Sequence, residues 1–344
     1  MNLFQTIGPL PHRVEQRTHA MTSYCIDRRW AKCFMTLLLC GSVWIPTQAV
    51  AREFVILLDW FVNPDHAALI VAQQRGLFKE KGLNVQLIEP GDPSMPPKLA
   101  AAKQADLAVS YQPSLMMDLN NELPLVRMGS LVDTPLNSLV VLADGPIQSI
   151  SDLKGKTVGF SVGGFEDAIL GAMLEHHGLT LEDVSLVNVN FALSPSLYTG
   201  QVDAVIGAFR NFELNQMDLD QRPGRAFFPE RNGVPTYEEL VLVAHPDKAA
   251  HPAMQDVLDI LNTVTAEILE DPEAGWRDFV AYNPQDLDTP LNARAWRDTL
   301  PKLTRDVRAS DSDAWIEFAE FMQRRGLISD VSPVSTYLWQ HPDG

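Results

Sequence analysis

Two distant segments of the chain spell the same turn. AKQADLAVS (residues 102–110) and TGQVDAVIG (residues 199–207) each give Gln, one apolar residue, Asp and then small apolar residues, following a short helical stretch. A polar turn with Asp before a strand is common in α/β proteins, so one instance constrains little. Recurrence at the same place in two series of alternating elements predicts two similar lobes. The competing expectation is a coincidence within one larger sheet.

The first series runs FVILL (54–58), a helical stretch, NVQLIEP (84–90), PPKLAAAKQ (96–104) and ADLAVS (105–110). The second runs TVGFSV (157–162), a helix, SLVNVNF (185–191) and DAVIGA (203–208). Strands separated by helical stretches of this length predict mostly parallel sheets with helices on both faces. ALIVAQQRGLFKEKGL, after the first strand, predicts a helix ending near Gly82. ELVLVAHPD (239–247) reads as a further buried strand, followed by helical segments near 253–270, 274–282, 293–299 and 313–325. A chain that builds one lobe, crosses to a second and returns has two hinge strands and a cleft. The expected boundaries are 52–144 with 239–344 for the first lobe and 145–238 for the second.

The first fifty residues follow other rules. Arg28, Arg29 and Lys32 precede CFMTLLLCGSVWI (33–45), an apolar run short for a bilayer, and TQAVA (47–51) ends in a small-x-small pattern. The expectation is a secretory signal peptide over 1–51, with Met21 giving a more ordinary start than Met1. All three cysteines (Cys25, Cys33, Cys40) fall inside it, so the mature chain has no disulfide, thiolate nucleophile or cysteine metal ligand. The net charge is −17, and the segment holds five basic and two acidic residues, so the remainder carries −20. That charge argues against nucleic acid or an anionic membrane as main partner.

Polar and aromatic residues gather where the strands end, the usual ligand position in open α/β sheets. LDWFVNPDHAAL (58–69) offers Trp60 as an aromatic wall and Asn63 and His66 as polar contacts. SYQP (110–113) exposes Tyr111, and DTPLNS (133–138) supplies Asn137 near the hinge. In SVGGFEDA (161–168), Gly163 and Gly164 bring backbone N–H groups to a helix start, and Glu166 can accept from an exocyclic amine. GAFRNFELNQ (207–216) adds Asn211 and Glu213. Enzyme signals are missing: LKGKT lacks the upstream glycine of a P-loop, and there is no HExxH, GxSxG or metal-spaced histidine pair.

LDWFVNPDHAAL, GLFKEKGLNVQLIEPGDPS, DLKGKTVGFSVGGFE and DAVIGAFRNFELNQ together resemble the thiamine-precursor branch of the periplasmic binding proteins, which also contains the fungal pyrimidine synthases of thiamine biosynthesis. The likeness spans residues 53–247 closely and the C-terminal helices loosely. It implies a two-lobed type II α/β fold, a monomer without cofactor or metal, that delivers an aminopyrimidine to an ABC permease driven by its ATPase. Carried over, it makes Trp60 a stacking wall, Glu166 the acceptor for the ring amine, and Tyr111 and Asn211 supporting contacts.

The synthases are the sharp alternative, since they use pyridoxal phosphate, a histidine and iron. Their cofactor lysine falls at Ser110 here and their histidine at Ser114, while their cysteine-rich stretch falls near ELVLVAHPD, which has no cysteine. Another flat heterocycle such as riboflavin is the alternative within the binding class.

Overall fold

The computed structural model describes residues 51–340. The expected leader, with its cysteines and both start methionines, lies outside the described residues.

Ten strands follow in chain order: β1 (Arg52–Leu57), β2 (Leu83–Ile88), β3 (Leu107–Ser110), β4 (Val126–Val132), β5 (Asn137–Leu142), β6 (Thr157–Phe160), β7 (Ser185–Asn188), β8 (Ala204–Phe209), β9 (Gly224–Phe227) and β10 (Leu240–Ala244). They form two five-stranded sheets, ordered β2-β1-β3-β10-β4 and β7-β6-β8-β5-β9. β1 is parallel to β2 and β3, and β6 is parallel to β7 and β8, while β10 and β5 enter antiparallel as returning strands. The single larger sheet is thereby excluded.

The repeated turn has the same physical job in both lobes. Asp106 Oδ2 accepts from the Val55 N–H at 2.8 Å while the Asp106 N–H donates to the Val55 carbonyl at 2.9 Å. Asp203 Oδ2 accepts from the Thr157 N–H at 2.9 Å while the Asp203 N–H donates to the Thr157 carbonyl at 2.8 Å. Each Asp therefore pins its own strand, through backbone and side chain, to the neighbouring one in register.

Three strands escape the sequence pattern. β4 holds Arg127, Gly129 and Ser130 within seven buried residues, so its polar content hides it. Arg127 is buried because Nε donates to Glu238 Oε2 at 2.7 Å and Nη2 to the Ala309 carbonyl at 2.5 Å. The C-terminal chain covers this edge, with the Ser130 N–H donating to the Val307 carbonyl at 2.8 Å and the Arg127 N–H to that of Tyr337 at 2.7 Å. β9 has only four residues, all partly buried, too few for a pattern.

β5 corrects a boundary. It pairs with β8 and β9, so the chain crosses between lobes after β4, at residues 133–136, and not after Asp144 as expected. The return crossing lies between β9 and β10, at residues 228–239. The helix expected to reach Gly82 stops instead at Arg75, because Gly76 adopts φ +76° and its N–H caps the Ala72 and Gln73 carbonyls. A short second helix, Leu77–Glu80, follows.

The C-terminal helices Pro252–Glu270, Pro272–Tyr282 and Pro290–Thr299 each begin with proline, whose missing N–H costs nothing at that position. Pro252–Glu270 buries Val257, Leu258, Leu261, Val264 and Ile268, and it packs beside Ala67–Arg75 behind the first sheet. Each such side chain contributes roughly 1.5–3 kcal/mol. Pro290–Thr299 touches both the 64–66 turn of the first lobe and helix Glu213–Leu219 of the second. Among the described residues no helix is long and apolar enough to cross a membrane.

Candidate functional site

The carboxyl ends of β1, β3, β6 and β8 meet between the lobes. There Asp59, Trp60, Asn63, Tyr111, Glu166, Gly207, Phe209, Phe212 and Glu213 enclose a cavity of about 20 Å³, room for about one water molecule. Two larger spaces flank it. One of about 180 Å³ is lined by Lys98, Ser110, Tyr111, Ser114, Gly163 and Gly164 among others, and one of about 900 Å³ opens outward past Phe61, Ile88, Phe212 and Tyr282.

Aromatic side chains hold the lobes together around the cavity. Trp60 and Phe61 meet Phe191 of the second lobe at ring distances of 4.6 and 4.7 Å. Tyr111 stacks on Phe165 at 4.9 Å and 22° and meets the edge of Phe209 at 6.5 Å. Each pair adds ~0.5–1.5 kcal/mol beyond burial.

First-lobe polar groups at the cavity are already partnered. Asp59 accepts from the Tyr111 hydroxyl at 2.9 Å on Oδ2, and its Oδ1 lies 2.9 Å from His66 Nε2. His66 Nδ1 accepts from the Asn63 N–H at 3.3 Å, which fixes the tautomer whose Nε2–H points at Asp59. Asn63 caps the 64–66 turn, Oδ1 accepting from the Asp65 N–H at 2.8 Å. Burial, the nearby Asp59 carboxylate and the hydrogen bond to it push the Tyr111 phenol well above its ordinary 10, so it stays a donor.

Second-lobe carboxyls are treated differently. Glu166 Oε2 accepts from the Ser161 N–H at 2.7 Å and Glu213 Oε2 from the Phe209 N–H at 2.6 Å. Each glutamate sits in the first turn of the helix after its strand and folds back onto the strand end. Both are fully buried without a cationic partner, and desolvation pushes each from 4.5 up to about 8. Gly207, at φ +99°, lies against the Glu166 carboxyl, and any Cβ there would overlap that carboxyl. The cavity is lined by three carboxyls and no lysine or arginine.

Five sequence-predicted residues thus line the central cavity: Trp60, Asn63, Tyr111, Glu166 and Glu213. Gly163 and Gly164 line the neighbouring 180 Å³ space. Three expected contacts do not line this cavity. His66, fully buried, is a positioning residue behind Asp59. Asn137 Oδ1 accepts from the Gly207 N–H at 2.9 Å, and the Asn137 N–H donates to Glu239, a carboxyl pushed up to about 7 by burial. Asn211 fastens the lobes, Nδ2 donating to Asp65 Oδ1 at 2.6 Å and to Thr299 Oγ1 at 2.7 Å. Burial raises Asp65 to about 6 against the lowering effect of His66 and those hydrogen bonds.

Asp59, Gly207, Phe209 and Phe212 are wall residues that sequence reasoning missed. Asp59 ends an apolar run, and that was the available signal. Ser110, buried at the tip of β3, presents a hydroxyl to the 180 Å³ space, whose one lysine is Lys98 on helix Pro96–Ala101. Among the described residues, no group of three or more His, Cys, Asp or Glu is placed to hold a metal ion.

Comparison with known proteins gives one family model, described as NMT1/THI5 like, matching residues 63–275. A Haemophilus influenzae protein named for thiamine biosynthesis is 54% identical over 83% of this chain and 92% of its own length. A formylaminopyrimidine-binding protein of Halalkalibacterium halodurans is 37% identical over 55% of this chain and 58% of its own. The 4-amino-5-hydroxymethyl-2-methylpyrimidine phosphate synthase of Aspergillus parasiticus is 26% identical over 82% and 85%. Among solved structures, the alkanesulfonate-binding protein of Xanthomonas axonopodis pv. citri superposes with a TM-score of 0.66 at 17% identity, covering 84% of this chain and 97% of that one. The fold is therefore that of the periplasmic binding proteins.

Proposed function

The chain belongs to the NMT1/THI5-like family, and from that premise we propose that it is the exported, periplasmic binding component of an ABC importer for a pyrimidine precursor of thiamine. The observation that carries the reading is the central cavity. One lobe brings the indole of Trp60, the other brings Glu166 and Glu213, and the space lies between two crossings able to act as hinges. An aminopyrimidine is flat and carries an exocyclic amine. Stacking suits the first wall and a carboxyl suits the second.

A cavity of one water's size means that the lobes part to admit a ring and close again around it. Closure is favoured by whatever contacts the ligand makes only in the closed state. The docking partner is a membrane permease with its ATPase, and the binding protein acts as a monomer.

Binding is preferred over synthesis on chemical grounds. A lysine amine is needed to form an imine with pyridoxal phosphate, and a serine hydroxyl at position 110 cannot. The residues at that tip do not fit a covalently held cofactor, and Lys98 reaches the same space from a different helix.

The test is a thermal-shift screen of residues 52–344 against formylaminopyrimidine, 4-amino-5-hydroxymethyl-2-methylpyrimidine, thiamine, riboflavin and taurine. At a thousandfold excess over Kd a ligand stabilises by about 4 kcal/mol, so a cognate pyrimidine gives a clear shift. Glu166→Gln is expected to weaken it by ~0.5–1.5 kcal/mol, the size of a hydrogen bond between neutral groups. A shift with riboflavin or taurine alone would replace the pyrimidine, and a reducible imine band with pyridoxal phosphate would replace binding by chemistry.

A further inference from the structure

With the exocyclic amine on Glu166, Glu213 has no ligand partner. Glu213 is as deeply placed as Glu166, lines the same cavity and is held in the same way, by an N–H at the end of the adjacent strand. β6 and β8 are neighbours in the second sheet, so the two carboxyls rise from neighbouring tips on the same side of the cleft. Such strands lie about 4.8 Å apart. A pyrimidine with its amine on one carboxyl can therefore present the adjoining edge to the second, and beside the amine on that edge an aminopyrimidine has a basic ring nitrogen.

We propose that Glu213 is the specificity-determining partner of that ring nitrogen, and that the ligand is held as a pyrimidinium cation on the Glu213 carboxylate while Glu166 takes the exocyclic amine. This rests on the pyrimidine reading. It selects a class within it: heterocycles that have both an exocyclic amine and a ring nitrogen basic enough to be protonated.

The proton comes from Glu213 itself. In the empty site that carboxyl is pushed up to about 8 by burial, so near neutral pH it is a neutral acid. On binding, its O–H bond breaks, the electron pair stays on the carboxylate oxygen, and the proton forms the ring N–H bond. No proton is exchanged with solvent.

The surroundings favour a cation. Glu213 faces Asp65, which raises it further, and the N–H groups of Phe209 and of Glu213 itself, which stabilise its ionised form. Glu166 faces Glu239 and Asp167, both of which raise it, and the N–H groups of Ser161 and Val162. From the first lobe come Asp59 and the Tyr111 hydroxyl. Of the basic groups nearby, His66 sits behind Asp59 with Nδ1 accepting from the Asn63 N–H, and Arg210 donates to Glu230 at 2.6 Å. Neither lines the cavity. A positive ring therefore supplies the charge that this wall lacks.

The experiment is ¹⁵N NMR of ring-labelled 4-amino-5-hydroxymethyl-2-methylpyrimidine or formylaminopyrimidine bound to the wild-type chain, with Kd measured in parallel from pH 6 to 10 (experimental settings, chosen to bracket the range around about 8). The bound resonance is expected where the free ligand's lies in acid. Affinity is expected to hold steady to about pH 8 and then to fall tenfold per pH unit, because above that pH a proton must be taken up. Glu213→Gln is expected to weaken binding at least tenfold, abolish that fall and return the resonance to the neutral position. Wild-type binding with a neutral ring overturns this assignment and leaves the pyrimidine reading standing. Absence of saturable binding by either pyrimidine at every pH overturns both. The resonance is read on the wild type, so a variant that fails to fold does not protect the proposal.

Discussion

At the tip of β1 the carboxyl of Asp59 meets a histidine nitrogen and a tyrosine hydroxyl, both at 2.9 Å. At the tips of β6 and β8 the carboxyls of Glu166 and Glu213 meet only backbone N–H groups, at 2.7 and 2.6 Å. The frames beneath are alike. Each lobe has a parallel trio of strands, an antiparallel return and an Asp that locks a neighbouring strand. What differs is whether the tip carboxyl is satisfied by side chains. A satisfied group shapes a wall, whereas a desolvated group with spare hydrogen-bonding capacity is available to a ligand. The first lobe thus lines the cavity with partnered polar groups and the second with carboxyls that keep spare hydrogen-bonding capacity.

The comparison breaks most sharply at Gly207. Its φ of +99° and the overlap of any Cβ with the Glu166 carboxyl mean that Gly207→Ala strains the backbone and dislodges the recognition carboxyl together. A loss of roughly 2–4 kcal/mol in unfolding free energy is expected, along with loss of pyrimidine binding. A variant with unchanged stability and affinity would mean that the tip of β8 is far more plastic than the first lobe's tips.

Next comes pH. Glu166 and Glu213 are raised in the folded state from 4.5 to about 8, so folding favours their neutral forms. Their contribution to stability is full below about pH 4.5 and is lost as pH rises through about 8. Chemical denaturation of the ligand-free chain is expected to show declining stability over that window, and Glu166→Gln with Glu213→Gln should make the decline shallower, leaving the part due to Asp65 and Glu239, raised to about 6 and about 7. If the slope is unchanged by both substitutions, the second lobe's carboxyls are not the source of the asymmetry.

The smallest effect sharpens the shared frame. Asp106 is partly buried and also accepts from Lys248 Nζ at 2.9 Å, while Asp203 is more exposed. Asp106→Ala should cost about 1–3 kcal/mol and Asp203→Ala about 0.5–1.5 kcal/mol by denaturant titration. Equal losses would show that the lock depends on the backbone bonds alone.

The alternation of strands and helices and the twice-used Asp turn carry enough local information to call for two α/β lobes, because the period of side-chain burial is set by the backbone itself. Trp60, Asn63, Tyr111, Glu166 and Glu213 line the cavity because they lie just past apolar strands, where the sheets' carboxyl ends meet, and that placement is read from sequence. β4 was not legible, since Arg127 is made tolerable by Glu238 and the Ala309 carbonyl, residues far along the chain. The crossing at residues 133–136 was hidden because β5 has no local mark of the sheet it joins. His66, Asn137 and Asn211 look in sequence like ligand contacts. The fold supplies them with partners in Asp59, Gly207 and Asp65, and none of the three lines the central cavity. A side chain's type and its place on a strand or turn are local properties, so the sequence determined which residues could recognise a ligand. A hydrogen bond goes to whichever group the packed chain brings within reach, so only the tertiary structure decided which of them remained free to do so.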